Sequence, residues 1–263
     1  MRIATWNVNS IRSRIDRVEA LLQRHDIDVL ALQETKARDD QWPLMGLEAL
    51  GYEVATLGHN QWNGVAIASR VGIEDIRTGF DGIPQWGEPM AAEARALGAT
   101  CGGVQVWSLY VPNGRALGDP HLTYKLEWLD RLNVAAKGWL ENAPEARIAL
   151  TGDWNIAPTD EDVWDMSAFA TSTHVSPEER SAFHAIVESG YADVVRPHTP
   201  GPGVYTYWDY YRQRFERNKG MRIDFILGSP AFASSVTAAT IDREERAGKG
   251  ASDHAPVIVE LAD

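Results

Sequence analysis

Apolar residues gather along the chain in short runs of two kinds. Residues 2–7, 28–33, 63–69, 93–98, 104–111, 147–152, 222–227 and 256–261 are dense in aliphatic and aromatic side chains and predict strands. Two other segments carry helical spacing: Ile11, Ile15, Val18 and Leu22 form one stripe in 11–24, and Leu122, Leu126, Leu129 and Leu132 form another in 121–140. Several strands between 52 and 111 have only turns between them, which argues against a strictly alternating, doubly wound sheet. The pattern predicts mixed sheets packed face to face with helices outside. With no Ser/Gly/Pro linker or break in composition, residues 1–263 read as one domain.

Polar residues collect where these runs end. Asn7 and Asn9 close the first strand, Glu34 directly follows Val29-Leu30-Ala31-Leu32-Gln33, and Asp153 and Asn155 in "GDWNIAPTD" follow 147–152. Their spacing of two aims Asp153 and Asn155 at one strand face. Asp224 lies inside "GMRIDFIL", and Asp253-His254 in "ASDHAPVIVEL" precede the last strand. Singly, most have a plain explanation as turn, cap or solvated residues. Asp224 does not, because a carboxylate within an apolar strand needs a partner. Together they are an oxygen-rich set at strand ends, suited to a hard ion such as Mg²⁺ and to phosphodiester chemistry. The Trp-Asn dipeptide at 6–7 returns at 154–155, a faint echo of two similar halves.

Composition narrows the partners. The 263 residues are 44% hydrophobic and 24% charged, values of a folded chain that buries a large core. A net charge of −12 excludes coating of nucleic acid by bulk electrostatics, so a polyanion needs a local patch. The stretch 205–222 offers one: Arg212, Arg214, Arg217, Lys219 and Arg222 interleave with Tyr205, Tyr207, Trp208, Tyr210, Tyr211 and Phe215. No apolar run approaches the ~18 residues of a membrane span. The chain enters strand-like sequence at once without a leader, so a cytoplasmic protein with no membrane partner is expected. Cys101, the one cysteine, is expected to be a buried thiol.

The motifs "TWNVNSIRSR", "LQETK", "NGVAI", "LYVPNGR", "GDWNIAPTD", "YTYWDYYRQRFERNKGMRIDFIL" and "SDHAPV" occur in the order found in the exodeoxyribonuclease III family of abasic-site endonucleases, and the resemblance runs from residue 2 to about residue 260. It implies an α/β four-layer sandwich of two mixed β-sheets flanked by helices, DNase I-like. Glu34 and Asp253 resemble the family's principal Mg²⁺ ligands, with Asn7, Asp153 and Asn155 around the ion and Mn²⁺ as a substitute. Asp224 resembles the carboxylate that orients the catalytic histidine, His254. Asp153 resembles the residue that activates or positions water, Asn155 the one that holds the phosphate, and Tyr110 a phosphate contact near the leaving oxygen. Tyr207, Trp208, Met221 and Ile223 match the pocket for a flipped abasic sugar, although relatives often have a larger aromatic residue at 221. Asn113 is a candidate to hold the phosphate, Arg115 to reach the DNA backbone or groove, and Arg95 to face DNA.

The implied enzyme is a monomeric repair nuclease on double-stranded DNA with abasic sites or 3' ends. It would cut 5' to an abasic site to leave a 3'-hydroxyl and would also trim and clean 3' ends. The resemblance leaves open whether Asp153 or His254 is the base, and whether one metal or two take part. A DNase I-like nuclease or inositol-phosphate phosphatase of the same superfamily typically has a second histidine where this chain has Tyr110. A non-catalytic DNA-binding module would have lost a metal carboxylate or the Asp/His pair, all of which are present.

Overall fold

The computed structural model describes residues 1–262. Its first half runs β1 (Arg2–Asn7), α1 (Ile11–Arg24), β2 (Val29–Gln33), α2 (Leu44–Ala49), β3 (Glu53–Leu57), β4 (Val65–Ser69), β5 (Glu74–Thr78), β6 (Ala96–Cys101) and β7 (Val104–Tyr110). The second half runs α3 (Pro120–Asn142), β8 (Ile148–Asp153), α4 (Pro177–Glu188), β9 (Ala192–Asp193), β10 (Asp224–Gly228), α5 (Pro230–Ala233), β11 (Val236–Ile241) and β12 (Val257–Leu261).

The strands form two six-stranded sheets, ordered β11-β12-β1-β2-β4-β3 and β5-β6-β7-β8-β10-β9. Each is mixed in the same way, with one parallel pair at its centre (β1 with β2, β7 with β8) and antiparallel neighbours outside. Alternation along the strands builds the layers. Ile3, Val29, Ala31, Val106, Ala149 and Ile226 fill the space between the sheets. Ala4, Trp6, Leu30 and Leu32 face α1 and α2, and Trp107, Leu150, Phe225 and Leu227 face α3 and α4. Strands buried on both faces explain why the central runs are continuously apolar. Cys101 lies in the inter-sheet core, and burial pushes its thiol up to about 11.

Helix α3 departs from the expected stripe. Its buried face is His121, Tyr124, Lys125, Trp128, Leu129, Leu132 and Ala136, which leaves Leu122 and Leu126 at its edge. Helix α4 starts with a capping box, in which Ser176 accepts from the Glu179 N–H and the Glu179 side chain accepts from the Ser176 N–H, with Pro177 in the first turn.

Candidate active site

Along the inner faces of the central strands, apolar side chains give way to polar ones in one direction. The sequences Ile3-Thr5-Asn7, Ala31-Gln33, Val106-Ser108-Tyr110 and Ala149-Thr151-Asp153 all follow this order, two residues per step. Beneath the site, Gln33 crosses the layer: its Nε2 donates to Thr5 Oγ1 at 3.0 Å on its own sheet and to Ser108 Oγ at 2.9 Å on the other. Beyond this bridge the polar ends converge on a cavity of about 200 Å³ lined by Glu34, Tyr110, Asn113, Asp153, Asn155, His174, Tyr207, Met221, Ile223, Asp253 and His254. Gly152 lets β8 approach β7 closely here, since a Cβ would lie 1.9 Å from the Leu109 carbonyl oxygen.

Asp153 and Asn155 do not share a strand face as their spacing suggests. Strand β8 ends at Asp153, whose Oδ1 accepts the Asn155 N–H at 2.9 Å, and Asn155 turns into the left-handed region at φ +50°. The tight turn brings both side chains to the cavity. Asn9 and Glu34 also have positive φ, +45° and +49°. Such strained backbone clusters at functional sites.

The acidic wall is a connected network. Asn7 Nδ2 donates to Glu34 Oε1 at 2.8 Å and to Asp153 Oδ2 at 2.9 Å. Lys36 Nζ lies 2.9 Å from Glu34 Oε2. Burial alone would push the Glu34 carboxyl up, but Lys36 and Asn7 hold it below its usual value. Asp224, opposite Asp153 across the β10–β8 ladder, accepts from His254 Nδ1 at 2.9 Å and from Thr206 Oγ1 at 2.6 Å. His254 Nε2 lies 3.7 Å from Asp153 Oδ2. Burial opposes protonation of His254, yet Asp224 and Asp153 outweigh it and raise the imidazole to about 10. Asp153 moves up to about 7: burial is the main cause, Asp224 and Glu34 add to it, and His254 opposes it.

The other wall is built of amides. Asn155 Oδ1 accepts from Asn113 Nδ2 at 3.2 Å and lies 3.1 Å from His174 Nε2, while Asn155 Nδ2 donates to the Val111 carbonyl at 2.9 Å. The motifs gave no hint of His174. Burial, reinforced by Lys125, holds it neutral with a pKa near 3. Tyr110 is pushed well above 10, chiefly by burial and then by Glu34.

Asp224 lies behind His254 with its carboxylate on Nδ1, outside the cavity wall. Other expected residues sit elsewhere: Trp208 is 1% exposed, packed with Tyr205 and Ala255 in a core cluster. Trp208 is not among the residues that line the cavity; its main-chain N–H donates to the Asp253 carbonyl at 2.9 Å. Arg95 does not face outward: it is buried, pairs with Glu93 at 2.6 Å and lies over the Tyr110 ring at 4.7 Å. Arg222 drops out of the basic patch because it is buried between Asp162 and Asp193 at 2.6 and 2.5 Å. Arg214 and Lys219 flank the Trp164 ring at 5.0 and 4.2 Å, and among the described residues neither has an acidic partner. Arg115 is exposed, 5.9 Å above the Trp86 ring, with its N–H on Asn113 Oδ1 at 3.1 Å.

The donor set fits a hard divalent cation. Glu34, Asp153 and His254 bring ligand atoms within 4.8 Å of one another. The carboxylates suit such an ion, whereas an imidazolium committed to Asp224 does not. Asp253 lines the same cavity outside this trio, its Oδ1 accepting from Asn9 Nδ2 at 3.1 Å. Asn7 turns its nitrogen, not its oxygen, toward the carboxylates, so in this arrangement it orients ligands rather than serving as one. Among the described residues, no helix is long and apolar enough to cross a membrane.

Residues 4–254 match the Endonuclease/Exonuclease/phosphatase family. Exodeoxyribonuclease III of Haemophilus influenzae is 29% identical over 270 residues, covering 99% of this chain and all of that one. The 3'-5' exonuclease NExo from Neisseria meningitidis superposes with a TM-score of 0.92 at 37% identity, with 99% of each chain covered. An AP endonuclease from Archaeoglobus fulgidus superposes equally well, with a TM-score of 0.92 at 33% identity over 99% of each chain.

Proposed function

The chain belongs to the endonuclease/exonuclease/phosphatase family, and from that premise we propose that it is a DNA-repair phosphodiester hydrolase: it cuts duplex DNA 5' to abasic sites, leaves a 3'-hydroxyl, and trims and cleans 3' ends. The observation that carries the reading is the Asn7–Glu34–Asp153 network facing the Asp224–His254 pair across one small cavity. Tyr110 stands in the cavity, at the position where the resemblance implies a second histidine in a DNase I-like nuclease or an inositol-phosphate phosphatase.

Each group has a defined task. Asp224 keeps a proton on His254 Nδ1, so His254 acts as a charged donor to phosphate oxygens and not as the base. Asp153, its carboxyl raised toward neutrality, takes the proton of the attacking water. Asn155 and Asn113 hold the phosphate, and Tyr110 with its high pKa stays protonated and donates toward the leaving oxygen. Glu34 and Asp253, beside Asp153, would hold Mg²⁺, or Mn²⁺ in its place; when bound, the ion neutralises charge on the phosphate oxygens. Tyr207, Met221 and Ile223 shape the sugar pocket. We read residues 1–263 as one domain working as a cytoplasmic monomer, and Arg115, Arg214 and Lys219 as local contacts that let an acidic protein hold DNA.

The test incubates the protein with a duplex containing one abasic site and with a 3'-end-labelled intact duplex, each with Mg²⁺ and with EDTA. Incision with a 3'-hydroxyl product that EDTA abolishes is expected. Undiminished cleavage in EDTA refutes the metal role.

A further inference from the structure

Two charged side chains next to the cavity take no part in this chemistry. Lys125 of α3 and Glu179 of α4 are completely buried, with Nζ 2.5 Å from Oε1. Such a pair is costly to desolvate and often contributes no net stability. Burial pulls the Lys125 pKa down, and Glu179 opposes the shift.

The remaining hydrogen bonds set this pair apart. Lys125 Nζ donates to the Asn155 carbonyl at 2.6 Å and to the Asn113 carbonyl at 3.3 Å. Glu179 Oε1 accepts the His174 N–H at 2.9 Å. One ion pair therefore grips the main chain of three residues from three loops: after β7, after β8 and before α4. Their side chains are the ones that meet in the cavity, where Asn113 Nδ2 lies 3.2 Å from Asn155 Oδ1 and 3.3 Å from His174 Nε2. His174 has φ +78° and Asn155 +50°, so neither loop rests in a relaxed conformation that would hold itself.

We infer that Lys125 is a positioning residue: through the Asn113 and Asn155 carbonyls and Glu179 it sets the spacing of the Asn113–Asn155–His174 wall that receives the phosphate. The inference rests on the hydrolase reading above. An ion pair that served folding alone could be exchanged for uncharged side chains of like volume. A positioning ammonium cannot, because no such side chain donates to both carbonyls.

The deciding variant is Lys125→Met/Glu179→Gln, which removes both charges, preserves volume and keeps one amide oxygen for the His174 N–H at the expense of the Ser176 N–H. It is assayed beside wild type with Mg²⁺ on abasic and 3'-phosphorylated duplexes, and the side-chain amide resonances of Asn113 and Asn155 are followed by NMR. We expect a folded protein with a lowered melting temperature, because the Asn113 and Asn155 carbonyls lose their donor, a fall in kcat/KM of about tenfold or more, the size of a lost charge-assisted hydrogen bond, and displaced amide resonances. A folded double variant with wild-type kcat/KM and unmoved resonances overturns the inference. If the double variant does not fold, Lys125→Arg decides: its planar fork keeps the charge but cannot place donors where Nζ places them. Reduced kcat/KM in folded Lys125→Arg supports positioning, and a wild-type value overturns it. Wild type inactive on both duplexes refutes the hydrolase reading, whereas active wild type with unaffected variants refutes the role of Lys125 alone.

Discussion

At the end of β1, Asn7 Oδ1 accepts the N–H of Asn9 at 3.0 Å; at the end of β8, Asp153 Oδ1 accepts the N–H of Asn155 at 2.9 Å. In each turn the second residue is an asparagine in the left-handed region, at φ +45° and +50°. The two strands also occupy equivalent places, each one of the parallel pair at the middle of its sheet. The echo suggested by the two Trp-Asn dipeptides is thus two positions out of step: in geometry Asn7 answers to Asp153, and Asn9 to Asn155. The functional difference rests on the outward atom. Asn7 offers an N–H pair that holds two carboxylates, while Asp153 offers an oxygen that can take a proton. A shared backbone turn supplies position, and one change of heteroatom supplies the chemistry.

Making the two ends alike is the harshest test. Asp153→Asn should lower turnover about 10³-fold, within the usual span of acid–base catalysis, with DNA binding retained in a gel-shift assay. The reverse change, Asn7→Asp, puts a third acid beside Glu34 and Asp153 and removes the shared donor. Activity should fall roughly 10–100-fold and recover in part as Mg²⁺ is raised, because the cation offsets like-charge repulsion; a titration of initial rate against Mg²⁺ reads this. Glycine tolerates positive φ, so Asn155→Gly and Asn9→Gly remove side chains without forcing the turn. Asn155→Gly should cost about tenfold in kcat/KM and Asn9→Gly less, since the Asn9 side chain bonds Asp253 and Lys36 and not the amides that hold the phosphate.

The smallest effect is on stability alone and belongs to the β8 side. His121 Nδ1 accepts the Gly114 N–H at 3.1 Å, and burial, aided by Arg95 and Arg115, lowers its pKa to about 4. The unfolded chain protonates this ring below about pH 6.5 while the folded chain does not, so stability should decline from there toward about pH 4. Thermal unfolding of wild type and His121→Asn across this range should show a shallower decline in the variant.

How much was legible follows from burial. The central strands announced themselves because both faces are covered. Strands β3, β5, β9 and β11 went unread: β5 is exposed throughout, with Glu74, Asp75 and Arg77 along it, and β9 has only two residues. Helix α4 did carry a signal, Ser176-Pro177-Glu178-Glu179, which is a capping box with proline in the first turn. In the site, the acids and His254 were readable because polar groups at the ends of apolar strands are anomalous. Trp208 was misplaced since an aromatic residue in a basic stretch looks the same from sequence whether it lies in a core or on a surface. His174 lies in an irregular loop with no periodic context. Lys125 was detectable in principle as a charge on an apolar stripe, one turn before Leu129.

The bridge of Gln33 to Ser108 fixes more than two polar groups. Greasy layers can slide past one another by a fraction of an ångström with little change in contact, but a buried hydrogen bond tolerates no such slack. Placed one strand step below the reacting groups, it acts as a dowel between two plates, so the tolerance to which Glu34 meets Asp153 is inherited from an amide and a hydroxyl that no substrate touches.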